Sequence, residues 1–166
     1  FFDQIIQDNP DIKWSTTLET NRGCPFKCSF CDWGSLTYSK IKKFPVPKVY
    51  QEIEWLGKNK IEYIFVADAN FGVFPDRDSE IVDVMLEVQA KYDYPKVFNA
   101  NWHKNSRQNV IPIVKKLTSN GMNRGMTLSV QSMDTDVLKA IERKNTDMSH
   151  LKDMFELIEA EGLGTY

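Results

Sequence analysis

The residues best suited to chemistry are three cysteines that lie close together, Cys24, Cys28 and Cys31. The sequence contains no other cysteine and so no long-range disulfide framework, and closely spaced thiols of this kind indicate a metal centre. Their spacing places three thiolates on one short loop, where they can bind three corners of a cuboidal iron–sulfur cluster. Because a fourth cysteine is missing, one iron is left open to coordinate a small molecule.

A structural zinc ion is the alternative use of these thiols. Zinc accepts three cysteines and one further ligand, which His103 or Asp32 would supply. However, neither His103 nor His150 stands at a ligand-like spacing from the cysteines. We therefore favour the iron–sulfur cluster over a non-catalytic α/β module with a structural zinc site.

Alternating strands and helices are predicted to position the cysteine loop. Hydrophobic periodicity switches between short extended runs and longer helical runs, which is typical of βα units around a parallel sheet. We predict about four such units, whose strands are Ser15–Thr20, Tyr63–Ala67, Val97–Trp102 and Met126–Gln131. The cysteine loop, residues 21–35, then follows the first strand directly. In the third strand Asn99 and Asn101 project to one side, which is either the lumen of a barrel or a solvated sheet edge.

Composition and charge narrow the class of protein. The chain has 166 residues, 42% of them hydrophobic, which is enough for one domain with a sizeable core. The net charge is −2 and the charges are interspersed, so no nucleic-acid-binding surface is indicated. No apolar run approaches the roughly 20 residues that span a bilayer, and the start lacks the pattern of a signal peptide. We expect a cytoplasmic protein that does not bind membranes.

The segment from Thr20 to Gly34, TNRGCPFKCSFCDWG, resembles the cluster loop of radical S-adenosylmethionine (radical SAM) enzymes, including the aromatic residue before the third cysteine. Its Arg-Gly-Cys-Pro opening is similar to the branch that contains cobalamin-dependent enzymes and methylthiotransferases. The resemblance implies an α/β fold, a partial TIM-like (βα)6 barrel, of which this chain supplies about four βα units. We expect residues 1–15 to be an N-terminal lead-in and residues 16–166 to be the radical SAM core domain, cut before its fifth strand is complete.

The same resemblance implies the cofactors and the reaction. Cys24, Cys28 and Cys31 hold a [4Fe-4S] cluster, which receives an electron from a donor such as flavodoxin or ferredoxin. The reduced cluster cleaves S-adenosylmethionine to a 5'-deoxyadenosyl radical, which acts on a small-molecule or peptide substrate that the sequence does not identify. The resemblance also leaves open a cobalamin-dependent methyl transfer. The cofactors carry the difficult chemistry, and the protein positions them.

Phe30, Asp68 and Asn70 are the first candidate contacts to S-adenosylmethionine that the resemblance implies. Phe30 matches the family position that lies against the adenine. Asp68 and Asn70 follow the second strand, where the family contacts the methionine amino group, although the usual Gly-Gly-Glu form is absent. The alternative for Asp68 and Asn70 is a turn at a helix entry, which Asp and Asn favour.

Ser129, Gln131 and Arg143 are the remaining candidates. They resemble the family's fourth strand and next helix, which supply polar contacts to the ribose and a basic partner for the carboxylate. Arginine suits that partner because its planar guanidinium can bind both carboxylate oxygens. The alternative for Arg143 is an interaction with the C-terminal end of a helix. No residue is assigned to the step that follows radical formation.

Overall fold

A computed structural model describes residues 1–37, 39–103, 110–143 and 148–165. Its helices are α1 (Phe2–Asp8), α2 (Asp32–Leu36), α3 (Val46–Lys58), α4 (Pro75–Tyr92), α5 (Ile111–Ser119), α6 (Thr135–Ala140) and α7 (Met148–Ala160). Its strands are β1 (Ser15–Leu18), β2 (Asn21–Arg22), β3 (Lys42–Lys43), β4 (Tyr63–Phe71), β5 (Val97–Trp102), β6 (Gly125–Met126) and β7 (Gly164–Thr165).

The central sheet has the strand order β1-β4-β5, and both strand pairs are parallel. Tyr63 pairs with Ser15 on one side and with Val97 on the other, so the three strands end at the same edge. Helices α3 and α4 connect these strands and pack against each other on one face of the sheet. These three strands and their connecting helices confirm the predicted βα order.

Strand β4 is longer than predicted. It continues past Ala67 to Phe71, which pairs with Trp102 beyond an irregularity in the register. The prediction that Asp68 and Asn70 follow this strand is therefore wrong, and so is the alternative of a turn at a helix entry. Both residues lie inside the strand, where alternation points their side chains to the same face.

The fourth predicted strand is much shorter than expected. We predicted a strand over Met126–Gln131, but only Gly125 and Met126 pair, in parallel, with Gly164 and Thr165 of β7. Without further pairing, the chain from residue 127 to residue 134 runs as an irregular segment. Ser129 and Gln131 therefore lie on a loop that follows β6.

The hydrophobic core lies between the sheet and its helices. Helix α3 buries Val49, Ile53 and Leu56, which are the three residues that periodicity assigns to its inner face. From α4, the core receives Ile81, Val82, Met85 and Val88. Among the described residues, no helix is both long and apolar enough to cross a membrane.

Candidate metal and cofactor site

The cysteine loop folds closely on itself. The N–H of Cys31 donates to the carbonyl of Cys28 at 3.1 Å, which makes a tight turn between these two residues. Gly34 approaches the loop so closely that a Cβ at this position would lie 1.9 Å from the Phe26 carbonyl oxygen. At Gly23, where φ is +110°, a Cβ would lie 2.0 Å from the Lys40 carbonyl oxygen. These glycines are required because any side chain would force the loop apart.

All three cysteines border one cavity of about 420 Å³. Cys24 and Cys28 are buried, and Cys31 is partly exposed. The cysteine loop and α2 add Phe26, Phe30, Trp33 and Gly34 to its lining. The ends of β4 and β5, the loop after β6 and the segment after α6 add Ala69, Asn70, Asn101, Trp102, Thr127, Ser129, Gln131 and Arg143. The arrangement brings the cysteine loop together with polar groups from separate βα units, as expected at the C-terminal edge of a parallel sheet.

Five of the six predicted S-adenosylmethionine contacts line this cavity. Phe30 is 53% exposed at its rim, and Arg143 is buried, with Nη2 donating to the Ser129 carbonyl at 2.6 Å. Asn70, Ser129 and Gln131 complete the group. The cavity also receives Asn101, as expected for a side chain that faces a lumen, whereas its neighbour Asn99 donates to the hydroxyl of Tyr63 at 3.1 Å.

Asp68 is the exception, because it is fully buried and does not line the cavity. One carboxylate oxygen accepts from the backbone N–H groups of Thr20 at 2.7 Å and Asn21 at 3.0 Å. The other accepts from the Thr20 hydroxyl at 2.5 Å and the Asn21 amide at 2.6 Å. Burial raises the pKa of Asp68, while these hydrogen bonds oppose that shift. Asp68 thus ties β4 to the two residues at which the cysteine loop begins.

Asn70 makes the second link between β4 and the cysteine loop. Its Nδ2 lies 3.2 Å from the Sγ of Cys24, and both side chains are buried. Asp68 and Asn70 therefore hold the start of the loop and its first cysteine from the same face of one strand.

Arg77 is a further positioning residue, which the sequence analysis missed. Its guanidinium donates to the carbonyls of Thr20 at 2.8 Å and Phe44 at 3.2 Å and to the Thr20 hydroxyl at 3.1 Å. It also forms a buried ion pair with Asp78 at 3.2 Å. No residue type marks this role in the sequence, because Arg77 reaches Thr20 and Phe44 largely through their backbone carbonyls.

Asp78 secures the turn between β4 and α4. Its Oδ2 accepts from the N–H groups of Gly72 at 2.8 Å and Phe74 at 3.2 Å. Burial raises the pKa of Asp78 to about 6, although the hydrogen bonds and Arg77 favour the charged carboxylate. The acid therefore titrates close to neutral pH.

The donor set and the cavity fit an iron–sulfur cluster. A cuboidal cluster binds each thiolate through a different iron, so it requires three cysteines around one space, as this cavity provides. His103, one proposed fourth zinc ligand, packs against the ring of Phe26 with centroids 5.7 Å apart.

Comparison with known families gives the same assignment. A family model described as the radical SAM superfamily matches residues 18–165, which is most of the chain. The chain belongs to the radical SAM superfamily. Radical SAM enzymes use a [4Fe-4S] cluster and S-adenosylmethionine, in agreement with the cofactors predicted from the cysteine loop.

Two curated relatives of this radical SAM chain are methyltransferases. It is 43% identical over 155 residues to the cobalamin-dependent radical SAM methyltransferase TokK of Streptomyces tokunonensis, covering 93% of this chain and 23% of TokK. It is 40% identical over 156 residues to the 2-(S-pantetheinyl)-carbapenam-3-carboxylate methyltransferase of Streptantibioticus cattleyicolor, covering 94% of this chain and 23% of that protein. The radical SAM chain thus spans less than a quarter of the length of either relative.

Solved structures support the fold. The radical SAM methyltransferase TsrM of Kitasatospora setae, with tryptophan substrate and a SAM analogue bound, matches with a TM-score of 0.68 at 12% identity, over 92% of this chain and 30% of TsrM. The cobalamin-dependent SAM radical enzyme OxsB, with aqua-cobalamin bound, matches with a TM-score of 0.60 at 22% identity, over 90% of this chain and 23% of OxsB. At these identities the likeness establishes the α/β fold of the radical SAM core.

Proposed function

We propose that the full-length protein is a cobalamin-dependent radical SAM methyltransferase and that this chain holds its [4Fe-4S] cluster and S-adenosylmethionine. The observation that carries the proposal is the convergence of Cys24, Cys28 and Cys31 on one cavity with polar groups from separate βα units. When bound and reduced, the cluster supplies the electron that cleaves S-adenosylmethionine and starts radical chemistry.

The residues around the cavity have separate roles in this proposal. Arg143 pairs with the carboxylate of S-adenosylmethionine, because a guanidinium offers two parallel N–H donors and the pairing is stronger in a site that excludes water. Ser129 and Gln131 contact the ribose, and Phe30 covers the adenine at the rim of the cavity.

On the side of β4, Asn70 is the residue with access to the methionine amino group. Asp68 was predicted to share this role, but its full burial and its four hydrogen bonds to Thr20 and Asn21 favour a different one. We assign Asp68 to holding the cysteine loop in place.

Cobalamin and methyl transfer rest on the relatives. TokK is named a cobalamin-dependent methyltransferase, and it is 43% identical to this chain over 93% of its length. The cobalamin-binding region and the substrate site would lie in other parts of the full-length protein. We place the protein in the cytoplasm with a low-potential electron donor such as flavodoxin or ferredoxin, because reducing conditions keep cysteine thiols available for metal binding.

The test is anaerobic reconstitution of the full-length protein with iron, sulfide and cobalamin, followed by reduction in the presence of S-adenosylmethionine. We expect a bound cluster, bound cobalamin and the release of both 5'-deoxyadenosine and S-adenosylhomocysteine, because one S-adenosylmethionine supplies the radical and another supplies the methyl group. Cys28→Ala should abolish release of 5'-deoxyadenosine. A loaded protein that releases 5'-deoxyadenosine without S-adenosylhomocysteine contradicts methyl transfer, and one that releases neither contradicts the whole proposal.

A further inference from the structure

The contact between Asn70 and Cys24 has a chemical consequence of its own. Asn70 is 3% exposed and Cys24 is 7% exposed, so the hydrogen bond between Nδ2 and Sγ, 3.2 Å long, lies almost completely out of water. A thiolate only accepts hydrogen bonds, so the amide must turn its NH2 group toward the sulfur. Because Asp68 fixes the same strand to the start of the loop, this amide donor is held in a defined position.

An N–H group that donates to a cluster thiolate changes the reduction potential of the cluster. The hydrogen bond draws negative charge from the sulfur, and it strengthens when the cluster gains an electron because the thiolate then carries more charge. Low local polarity increases this difference between the two redox states. The donor therefore stabilises the reduced cluster and raises its potential.

We propose that Asn70 is a positioning residue that raises the reduction potential of the cluster through its hydrogen bond to Cys24. The inference rests on the proposed function, since it requires the cluster. It assigns Asn70 an effect that is present before S-adenosylmethionine binds, which separates it from any contact of Asn70 with the methionine amino group.

The experiment is a redox titration of the reconstituted full-length protein in the absence of S-adenosylmethionine. The amount of reduced cluster at each potential is measured from its electron paramagnetic resonance signal. Asn70→Leu keeps the branching of the side chain at Cγ and removes the donor. We expect at least a tenfold lower ratio of reduced to oxidised cluster at the wild-type midpoint, which for one electron corresponds to about 59 mV. Asn101→Leu is the matched control, because it removes an amide that lines the same cavity and leaves the hydrogen bond to Cys24 intact.

Asn70→Ala is the second variant, for use if leucine at this position prevents loading of the cluster. It removes the same donor without adding branched volume, and we expect a shift in the same direction. Iron and sulfide analysis of each variant establishes that the species titrated is one [4Fe-4S] cluster.

Three results overturn the inference. They are midpoints of the Asn70 variants equal to that of wild type, a shift no larger than that of Asn101→Leu, and a shift to higher potential. If the first of these results is accompanied by weaker binding of S-adenosylmethionine, Asn70 acts on S-adenosylmethionine alone. Failure of the proposed function is distinct, since it is read from wild-type protein that loads a cluster and releases no 5'-deoxyadenosine.

Discussion

Replacing Asp68 with alanine tests whether β4 holds the cysteine loop in place. The substitution removes the acceptor of two backbone N–H groups and two side-chain donors, all of which belong to Thr20 and Asn21. Asp68 is fully buried, so water does not readily replace the lost acceptor. The four donors would be left unsatisfied in the folded loop, which favours local opening.

The expected acceleration of amide exchange follows from the strength of the lost hydrogen bonds. A hydrogen bond to a charged group contributes about 1.5–3 kcal/mol, so the two backbone N–H groups together lose at least about 3 kcal/mol of protection. At about 1.4 kcal/mol for each factor of ten, this loss accelerates amide exchange of Thr20 and Asn21 about a hundredfold. Burying Asp68 costs desolvation energy, which raises its pKa and reduces the net contribution of its hydrogen bonds to the free energy of unfolding. Amide exchange at Thr20 and Asn21 is therefore a more sensitive measurement than global unfolding.

Hydrogen–deuterium exchange with mass spectrometry on the reconstituted full-length protein provides the assay. Peptides that contain Thr20 and Asn21 should exchange about a hundredfold faster in Asp68→Ala, whereas peptides from α4 should keep their wild-type rates. The control is Asp83→Ala. Asp83 lies in α4, away from the cysteine loop, and its exposed carboxylate pairs with Lys116 at 2.6 Å.

Unchanged exchange at Thr20 and Asn21 in a folded Asp68→Ala protein would refute the reasoning. If the alanine variant does not fold, Asp68→Asn preserves the shape and one acceptor oxygen. It should then show a smaller acceleration in the same peptides, and wild-type exchange in Asp68→Asn would refute the role of the carboxylate equally well.

Three further predictions address the loop, the cavity and the turn before α4. Gly34→Ala forces a Cβ against the Phe26 carbonyl, so we expect overpacking to cost about 1–3 kcal/mol and iron content after reconstitution to fall. Arg143→Lys replaces a fork of donors with a point charge, and we expect the Kd for S-adenosylmethionine to rise about tenfold, or about 1.4 kcal/mol, in equilibrium binding. Folding raises the pKa of Asp78 to about 6, so the folded protein binds more protons than the unfolded chain between about pH 4 and pH 6. Raising the pH through that window should therefore lower the free energy of unfolding by up to about 3 kcal/mol relative to Asp78→Asn, in urea unfolding of the metal-free protein.

Each of these predictions has a result that would contradict it. For Gly34→Ala the control is Leu36→Ala, which truncates an exposed side chain of the same helix α2, so wild-type iron content in Gly34→Ala, or an equal loss in both variants, contradicts the steric argument. Arg143→Lys with an unchanged Kd contradicts a carboxylate contact. For Asp78, equal pH dependence in wild type and Asp78→Asn contradicts a raised pKa.

The cysteine loop was predictable because its information is local. Three thiols at short spacing specify their chemistry without reference to the rest of the chain, and Gly23 and Gly34 mark the close approaches that shape the loop. The second and third strands were predictable for the same reason, since the continuous apolar run Tyr63–Ala67 indicates a buried parallel strand and Val97–Trp102 alternates apolar with polar residues as a strand does.

The surroundings of the loop were less predictable because they depend on pairing between distant segments. Strand β4 continues through Asp68 and Asn70 only because β5 pairs beyond them, and polar residues within a strand look like a turn in the sequence. The opposite error occurred at residues 127–131, whose sequence predicts a strand although they do not pair as one. Arg77 was missed because its partners, Thr20 and Phe44, are carbonyl groups far along the chain, which leave no trace in residue type.

The most direct test of the central claim is the electron paramagnetic resonance spectrum of the reduced full-length protein, recorded before and after addition of S-adenosylmethionine. Three cysteine ligands leave one iron open to the cavity, so we predict one [4Fe-4S] cluster per chain and a spectrum that changes when S-adenosylmethionine binds. Stoichiometric zinc without sulfide, or a cluster whose spectrum is unaffected by saturating S-adenosylmethionine, would contradict the account.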